Sequence, residues 1–306
     1  MVSQTEPVGN TPGEGDGAGL VHAIISARLG HDVVAVMRPC GLGVKVRSVG
    51  PDSTSRDVSW TRGTVRGFSA ASRRRMMGKL ASIEWDAMPC YFVTLTYHLE
   101  WGRWKDWKRQ LRTFRKRLER TYPTFAAAVW KLEAQRRGAP HFHVAAFFVR
   151  EVHLPTFRAW VSSTWNTIIG GSAAHLRAGT QVKPTRNTSG PGVTKLMGYL
   201  GKYLAKRQGS FVDPHTGEVL ETGRIWGLWN QDAMPWGELV AFDLCWQDYL
   251  TLTRRLRRWG QHSRYLSKLT GQWRGFLVLG DSGQLWQLLR GLDTQRVEHQ
   301  RQPDPC

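Results

Sequence analysis

The chain has 306 residues, with 43 Lys and Arg against 24 Asp and Glu, and a formal net charge of +19. That surplus excludes an average near-neutral enzyme and points to a polyanion partner, nucleic acid first and an anionic membrane surface second. Hydrophobic residues at 41% allow a proper core, and no run approaches the ~18 apolar residues of a membrane span.

Residues 1–20 hold no Lys or Arg and are rich in Gly, Thr, Pro and Glu, which reads as a disordered acidic lead. They show no basic segment followed by an apolar run, so no secretory signal is expected and a cytoplasmic location is. The four cysteines, Cys40, Cys90, Cys245 and Cys306, include no CxxC pair, which fits isolated reduced thiols better than a zinc or disulfide framework.

Residues 31–49 alternate apolar and polar around Gly41-Leu42-Gly43, which predicts a hairpin turning there. A loop covers 50–64, and a helix with Arg73, Arg74, Arg75 and Lys79 covers 68–84. Tyr91 to Tyr97 is β-branched and aromatic and predicts a strand. From Trp101 to Tyr122, Trp104, Trp107, Leu111, Phe114 and Leu118 recur at spacings of three and four, the stripe of an amphipathic helix. Strands are expected at 125–135 and 141–149, joined by a short turn at 136–140. Helices follow at 154–168 and 193–208, with a loop at 184–192 and another at 209–223. Asp248 to Leu269 reads as a strongly basic helix. Helices mixed with antiparallel hairpins make the class α+β.

The turn at 136–140 concentrates chemistry. His141 and His143 share a face, because strand side chains alternate. If the turn centres on Gly138, Glu133 falls opposite His143 and Gln135 opposite His141. Opposed residues share a face. Two imidazoles and a carboxylate then converge, a donor set suited to a divalent cation that also holds a substrate oxygen. A turn longer by one residue would aim Glu133 away, and two sheet histidines with no ligand role remain the plain alternative.

In the 193–208 helix, Tyr199 and Tyr203 are four apart and stack on one face, with Lys195, Lys202 and Lys206 on or beside it. A neighbouring ammonium favours the phenolate of a tyrosine and binds phosphate. Taken alone, the pattern is better described by a packed amphipathic helix with solvated lysines.

Three segments together resemble one family. Phe92-Val93-Thr94-Leu95-Thr96 resembles its first motif. Gly138-Ala139-Pro140-His141-Phe142-His143, preceded by Glu133, resembles its His-hydrophobic-His motif. Tyr199-Leu200-Gly201-Lys202-Tyr203-Leu204-Ala205-Lys206 is similar to its tyrosine motif in the two-tyrosine form. Order and spacing match as well. The family is the HUH endonucleases, in particular the rolling-circle replication initiators of plasmids and small single-stranded-DNA phages. Gly223 to Gly227 is similar to a stretch of the plasmid initiators, less specifically. The resemblance covers roughly residues 65–235.

The resemblance implies a five-stranded antiparallel sheet with flanking helices and the histidine motif on a central strand. It implies Mg²⁺ or Mn²⁺ held by His141, His143 and Glu133, with Gln135 also within reach. It implies attack by Tyr199 or Tyr203 on one DNA strand at an origin, with Lys202 orienting phosphate or lowering the phenol pKa. The product is a 5′-phosphotyrosyl enzyme and a free 3′-OH. Implied partners are single-stranded and hairpin origin DNA, with a host helicase and DNA polymerase, since no Gly-x-x-x-x-Gly-Lys-Ser/Thr loop is present. No membrane partner is expected. The expected division is the lead at 1–20, a hairpin region of unassigned role at 21–62, the endonuclease domain at 63–245 and a basic helical extension at 246–306.

Arg103 to Arg120 holds nine basic and two acidic residues, and Arg254 to Arg274 seven basic and none acidic. Both are candidate DNA-backbone contacts, with Arg254, Arg255, Arg257, Arg258, Arg264 and Lys206 as named candidates and Trp259, Tyr265 and Trp273 available to stack on bases. A transposase or relaxase on the same core is the alternative enzyme. A copy-control DNA-binding protein on the same fold is the alternative without catalysis.

Overall fold

The computed structural model describes residues 31–48, 67–97, 104–135, 137–185, 211–213, 216–261, 275–292 and 294–297. In chain order the elements begin with β1 (His31–Arg38), β2 (Gly41–Ser48), α1 (Ala70–Ala81), β3 (Cys90–Thr96) and α2 (Trp104–Thr121). Next come β4 (Phe125–Ala134), β5 (Pro140–Phe148), α3 (Leu154–Ile169), α4 (Ala173–Ala178) and β6 (Thr180–Pro184). The chain continues with β7 (Phe211–Val212), β8 (Val219–Leu220), β9 (Trp226–Trp229), β10 (Val240–Leu244) and α5 (Trp246–Gln261). It closes with β11 (Gly275–Leu279), α6 (Ser282–Leu289) and β12 (Thr294–Val297).

The strands form two five-stranded antiparallel sheets, ordered β6-β3-β5-β4-β9 and β11-β2-β1-β10-β12, with β7 and β8 paired separately. The α+β class, with a five-stranded antiparallel sheet and flanking helices, is therefore as expected. No helix among the described residues is long and apolar enough to cross a membrane.

The first sheet explains its own covering. Tyr91, Val93 and Leu95 share a face with Phe142, Val144, Trp130 and Leu132 by direct pairing. That face receives α2 and α3. The stripe Trp107, Leu111, Phe114 and Leu118 is buried there. Trp165 of α3 meets Phe142 and Phe114 edge-on, at 6.4 and 6.1 Å between ring centroids. The opposite face carries Phe92, Thr94, Thr96, His141, His143, Lys131 and Glu133. At one end Trp85 covers it, 6.2 Å from Phe92 and 5.3 Å from Phe147. Further along, Trp226 Nε1 donates to Ser72 Oγ of α1 at 2.9 Å.

The second sheet joins residues far apart in the chain. Val33 pairs with Leu244, and Lys45 with Gly275. Its core holds Val33, Ala35, Leu42, Leu252, Leu256 and Leu285. The hairpin of β1 and β2 is where expected, but its turn is Pro39–Cys40, and Gly41 and Gly43 lie inside β2 opposite Arg38 and Val36. The reason is Pro39, whose fixed φ suits the first central position of a two-residue turn. The basic helix is present as α5, yet after 262–274, which lie outside the described residues, the chain forms strand, helix and strand. Six further short elements, α4, β6, β7, β8, β9 and β10, fall where no regular pattern is read from sequence, and β7 and β8 pair within the stretch 209–223 expected to be loop.

The sheets touch through the end of α1. Cys40 N donates to Ala81 O at 3.0 Å, and Gly237 N to Ser82 O at 2.9 Å.

Candidate metal and nucleic-acid site

The β4–β5 hairpin closes with Gln135 N donating to Ala139 O and Gly138 N to Gln135 O, both at 2.9 Å. Gly138 has φ +85°, the left-handed backbone that a side chain would oppose. The loop therefore centres on residue 137. Glu133 lies opposite His141 and Lys131 opposite His143. This corrects the expected register, in which Glu133 faced His143. The shift moves each partner by two residues, so parity survives and the three side chains still share one face.

Their contacts are specific. Glu133 Oε2 lies 3.2 Å from His143 Nε2. The two imidazole centroids are 4.5 Å apart, at 78° between planes. Thr96 Oγ1 is 2.9 Å and Gln135 Nε2 3.3 Å from His141 Nδ1. Arg137 Nε donates to Gln135 Oε1 at 3.0 Å and so orients that amide. Glu133 and His143 are buried at 8% and 4% exposure, and His141 is half-buried. Burial pushes the His141 imidazole down to about 4, His143 adds to the effect, and Glu133 opposes it. Near pH 7 His141 is thus neutral and offers a nitrogen lone pair.

Two imidazoles and a carboxylate on one face fit a divalent cation by ligand type. As arranged, Glu133 and His143 bond to each other, and among the described residues no three His, Cys, Asp or Glu side chains gather into a metal cluster. The Glu133–His143 hydrogen bond is the contact that a cation would replace.

Behind this face, Thr96 is held by several groups. Its carbonyl accepts from Trp165 Nε1 at 2.9 Å and lies 2.7 Å from His175 Nε2. Its amide donates to Gly179 O at 2.9 Å. His175 is buried, and its Nδ1 lies 2.8 Å from Asn166 Oδ1. A Cβ at Gly179 would fall 2.1 Å from His175 Nε2, so no larger residue fits beside the ring.

Sequence reasoning passed over Thr96 and Lys131. Lys131 is wholly buried on the histidine face, its Nζ 5.0 Å from the centre of the Phe68 ring. The signal was there: Lys131 shares the parity of Glu133, and Thr96 ends the first motif.

Tyr199, Lys202, Tyr203, Lys206, Arg264, Tyr265 and Trp273 lie outside the described residues. Arg254, Arg257 and Arg258 are exposed on α5. Arg255 differs, because its Nη1 donates to Leu288 O and Arg290 O, both at 2.8 Å, and ties down the end of α6. Trp259 packs against the second core instead of standing free for bases. On α2, Lys105, Arg109, Arg112, Lys116 and Arg120 form an exposed ridge. That ridge is on the side of the sheet away from the histidines.

Residues 90–208 match the family model of the replication-associated protein ORF2 type. No curated protein and no solved structure matches the chain. The match opens on the first residue of β3, takes in both strands of the hairpin and runs through the tyrosine segment. Over less than half of its length the chain is similar to replication-associated proteins, and that part holds the histidine face.

Proposed function

We propose that this protein is a rolling-circle replication initiator that nicks and rejoins one DNA strand at an origin. The observation that carries the reading is the convergence of His141, His143 and Glu133 on one sheet face, within the stretch similar to replication-associated proteins. His141, His143 and Glu133 would hold Mg²⁺ or Mn²⁺, which supplies Lewis-acid polarisation of the scissile phosphate and offsets charge on the leaving oxygen. The phenol oxygen of Tyr199 or Tyr203 attacks phosphorus, and the bond to the 3′ oxygen breaks. That oxygen takes up a proton and leaves as a 3′-OH, while the 5′-phosphate stays on the tyrosine. Lys202 favours the phenolate and steadies the phosphate. The second tyrosine permits a second cleavage while the first adduct persists, which ends a round and rejoins the strand. Host helicase and polymerase supply unwinding and synthesis.

The test is covalent capture. Labelled single-stranded DNA from the gene's own replicon is incubated with protein and Mn²⁺, then run on a denaturing gel. A protein–DNA adduct is expected, and it disappears in Tyr199→Phe/Tyr203→Phe. An undiminished adduct in that double variant sinks the reading.

A further inference from the structure

At the outer edge of β6, between α3 and α4, is a cavity of about 450 Å³ lined by Arg158, Arg177, Lys183, Ser162, Thr180 and Gln181. We infer that this cavity is a nucleotide-binding pocket, which holds an unpaired nucleotide of the DNA strand beside the histidine face through its phosphate. The inference rests on the reading that DNA is the substrate.

Four observations carry it. First, three of the lining side chains are cationic and none is acidic. The surrounding chain shares the bias: from Val152 to Val212 there are eight Lys or Arg and no Asp or Glu. A phosphate there meets no opposing carboxylate from its own segment. Second, one cation is fixed in direction. Arg158 Nε donates to Val182 O at 3.1 Å, so the guanidinium fork is anchored against the strand edge. Third, the pocket straddles the edge of the histidine sheet, with Arg158 and Ser162 from the helix-covered side and Gln181 and Lys183 on the histidine face. Thr94 pairs with His143 on one side and Gln181 on the other. Gln181 is therefore in the same cross-strand row as His143, two strand spacings or about 10 Å away. Lys183 is one residue pair beyond the pocket's Val182, on the same face as Gln181. Fourth, the volume lies in the range of small-ligand pockets, about 300–1,000 Å³.

The concavity selects the form of nucleic acid. A duplex presents phosphates on the outside of stacked pairs, and such a backbone lies across a ridge. A single strand can turn one nucleotide into a pocket while its neighbours continue over the sheet. Ser162, Thr180 and Gln181 add hydroxyl and amide groups for a sugar or base edge.

The experiment is the salt dependence of binding of the full chain to fluorescent oligothymidine, read by anisotropy. Each single-strand phosphate that is no longer neutralised reduces the slope of log K against log salt by about 0.7, so Arg177→Gln/Lys183→Gln lowers it by about 1.4. Both residues are exposed, and the melting temperature stays unchanged. Arg177→Lys/Lys183→Arg keeps the wild-type slope. A wild-type slope in the Gln double variant, or a weakening confined to duplex DNA, overturns the pocket. The covalent adduct is scored separately. An adduct with an unchanged slope defeats the pocket alone, and a reduced slope with no adduct in the wild type defeats the cleavage reading alone.

Discussion

Thr96 Oγ1 lies 2.9 Å from His141 Nδ1, and the carbonyl of the same residue is held by Trp165 Nε1 at 2.9 Å. One threonine thus links a candidate metal ligand to the helix layer on the other side of the sheet. A hydroxyl within hydrogen-bond distance of Nδ1 fixes the plane of the His141 ring, whichever of the two atoms carries the proton. Thr96→Val keeps shape and removes that bond. Mn²⁺ affinity, measured by calorimetry or electron paramagnetic resonance, is expected to fall about tenfold with the fold intact. An unchanged affinity assigns the ring's orientation to Gln135.

Trp165 is wholly buried against Tyr97, Phe114 and Phe142, and its indole N–H is satisfied by Thr96 O. Trp165→Ala leaves a cavity and an acceptor short of a partner. A loss of about 3–5 kcal/mol is expected in urea unfolding. A loss below about 1 kcal/mol contradicts the packing described.

Lys108 places its Nζ 4.5 Å over the Trp130 ring and donates to Arg224 O. Burial pushes its ammonium down to about 7, and Arg224 adds to this. The unfolded chain keeps that proton up to the ordinary value of 10.5. Between these values the unfolded state binds more protons, so stability rises with pH. From pH 7 to 9 the gain is about 1–2 kcal/mol once partial hydration is allowed for. Lys108→Met is expected to abolish the rise, and a parallel rise in both proteins defeats the assignment.

The α5 arginines divide by what they touch. Arg255→Ala removes two bonds to the end of α6 and is expected to cost about 1–3 kcal/mol of stability. Arg254, Arg257 and Arg258 are exposed, so their replacement by Ala is expected to move the melting temperature less than Arg255→Ala does. If they meet DNA, the triple variant also flattens the salt dependence of duplex binding, by about 0.9 for each phosphate no longer neutralised.

Much of the first sheet was legible because local signals reinforced one another. The Tyr91–Thr96 run, the Trp107-to-Leu118 stripe and the short turn at Gly138 each define an element without distant partners. The histidine face was legible for the same reason, and it survived a misjudged loop because parity tolerates a shift of two. The second sheet was not legible. Nothing near Val33 announces Leu244, and strands such as Thr294–Val297 are too short for alternation to speak. The packing of Arg255 and Trp259 was hidden likewise, since their partners come from residues 276–292. Tyr199 and Tyr203 stand on their motif alone.

All five strands of the histidine sheet lie between residues 90 and 229, whereas the other sheet takes two strands before that span and three after it. The chain is nested, like parentheses. On a ribosome the inner sheet has every strand it needs once Trp229 has emerged, while the outer sheet waits for Val297. Synthesis therefore delivers a candidate DNA-cutting surface before the sheet whose strands flank it in the chain is complete.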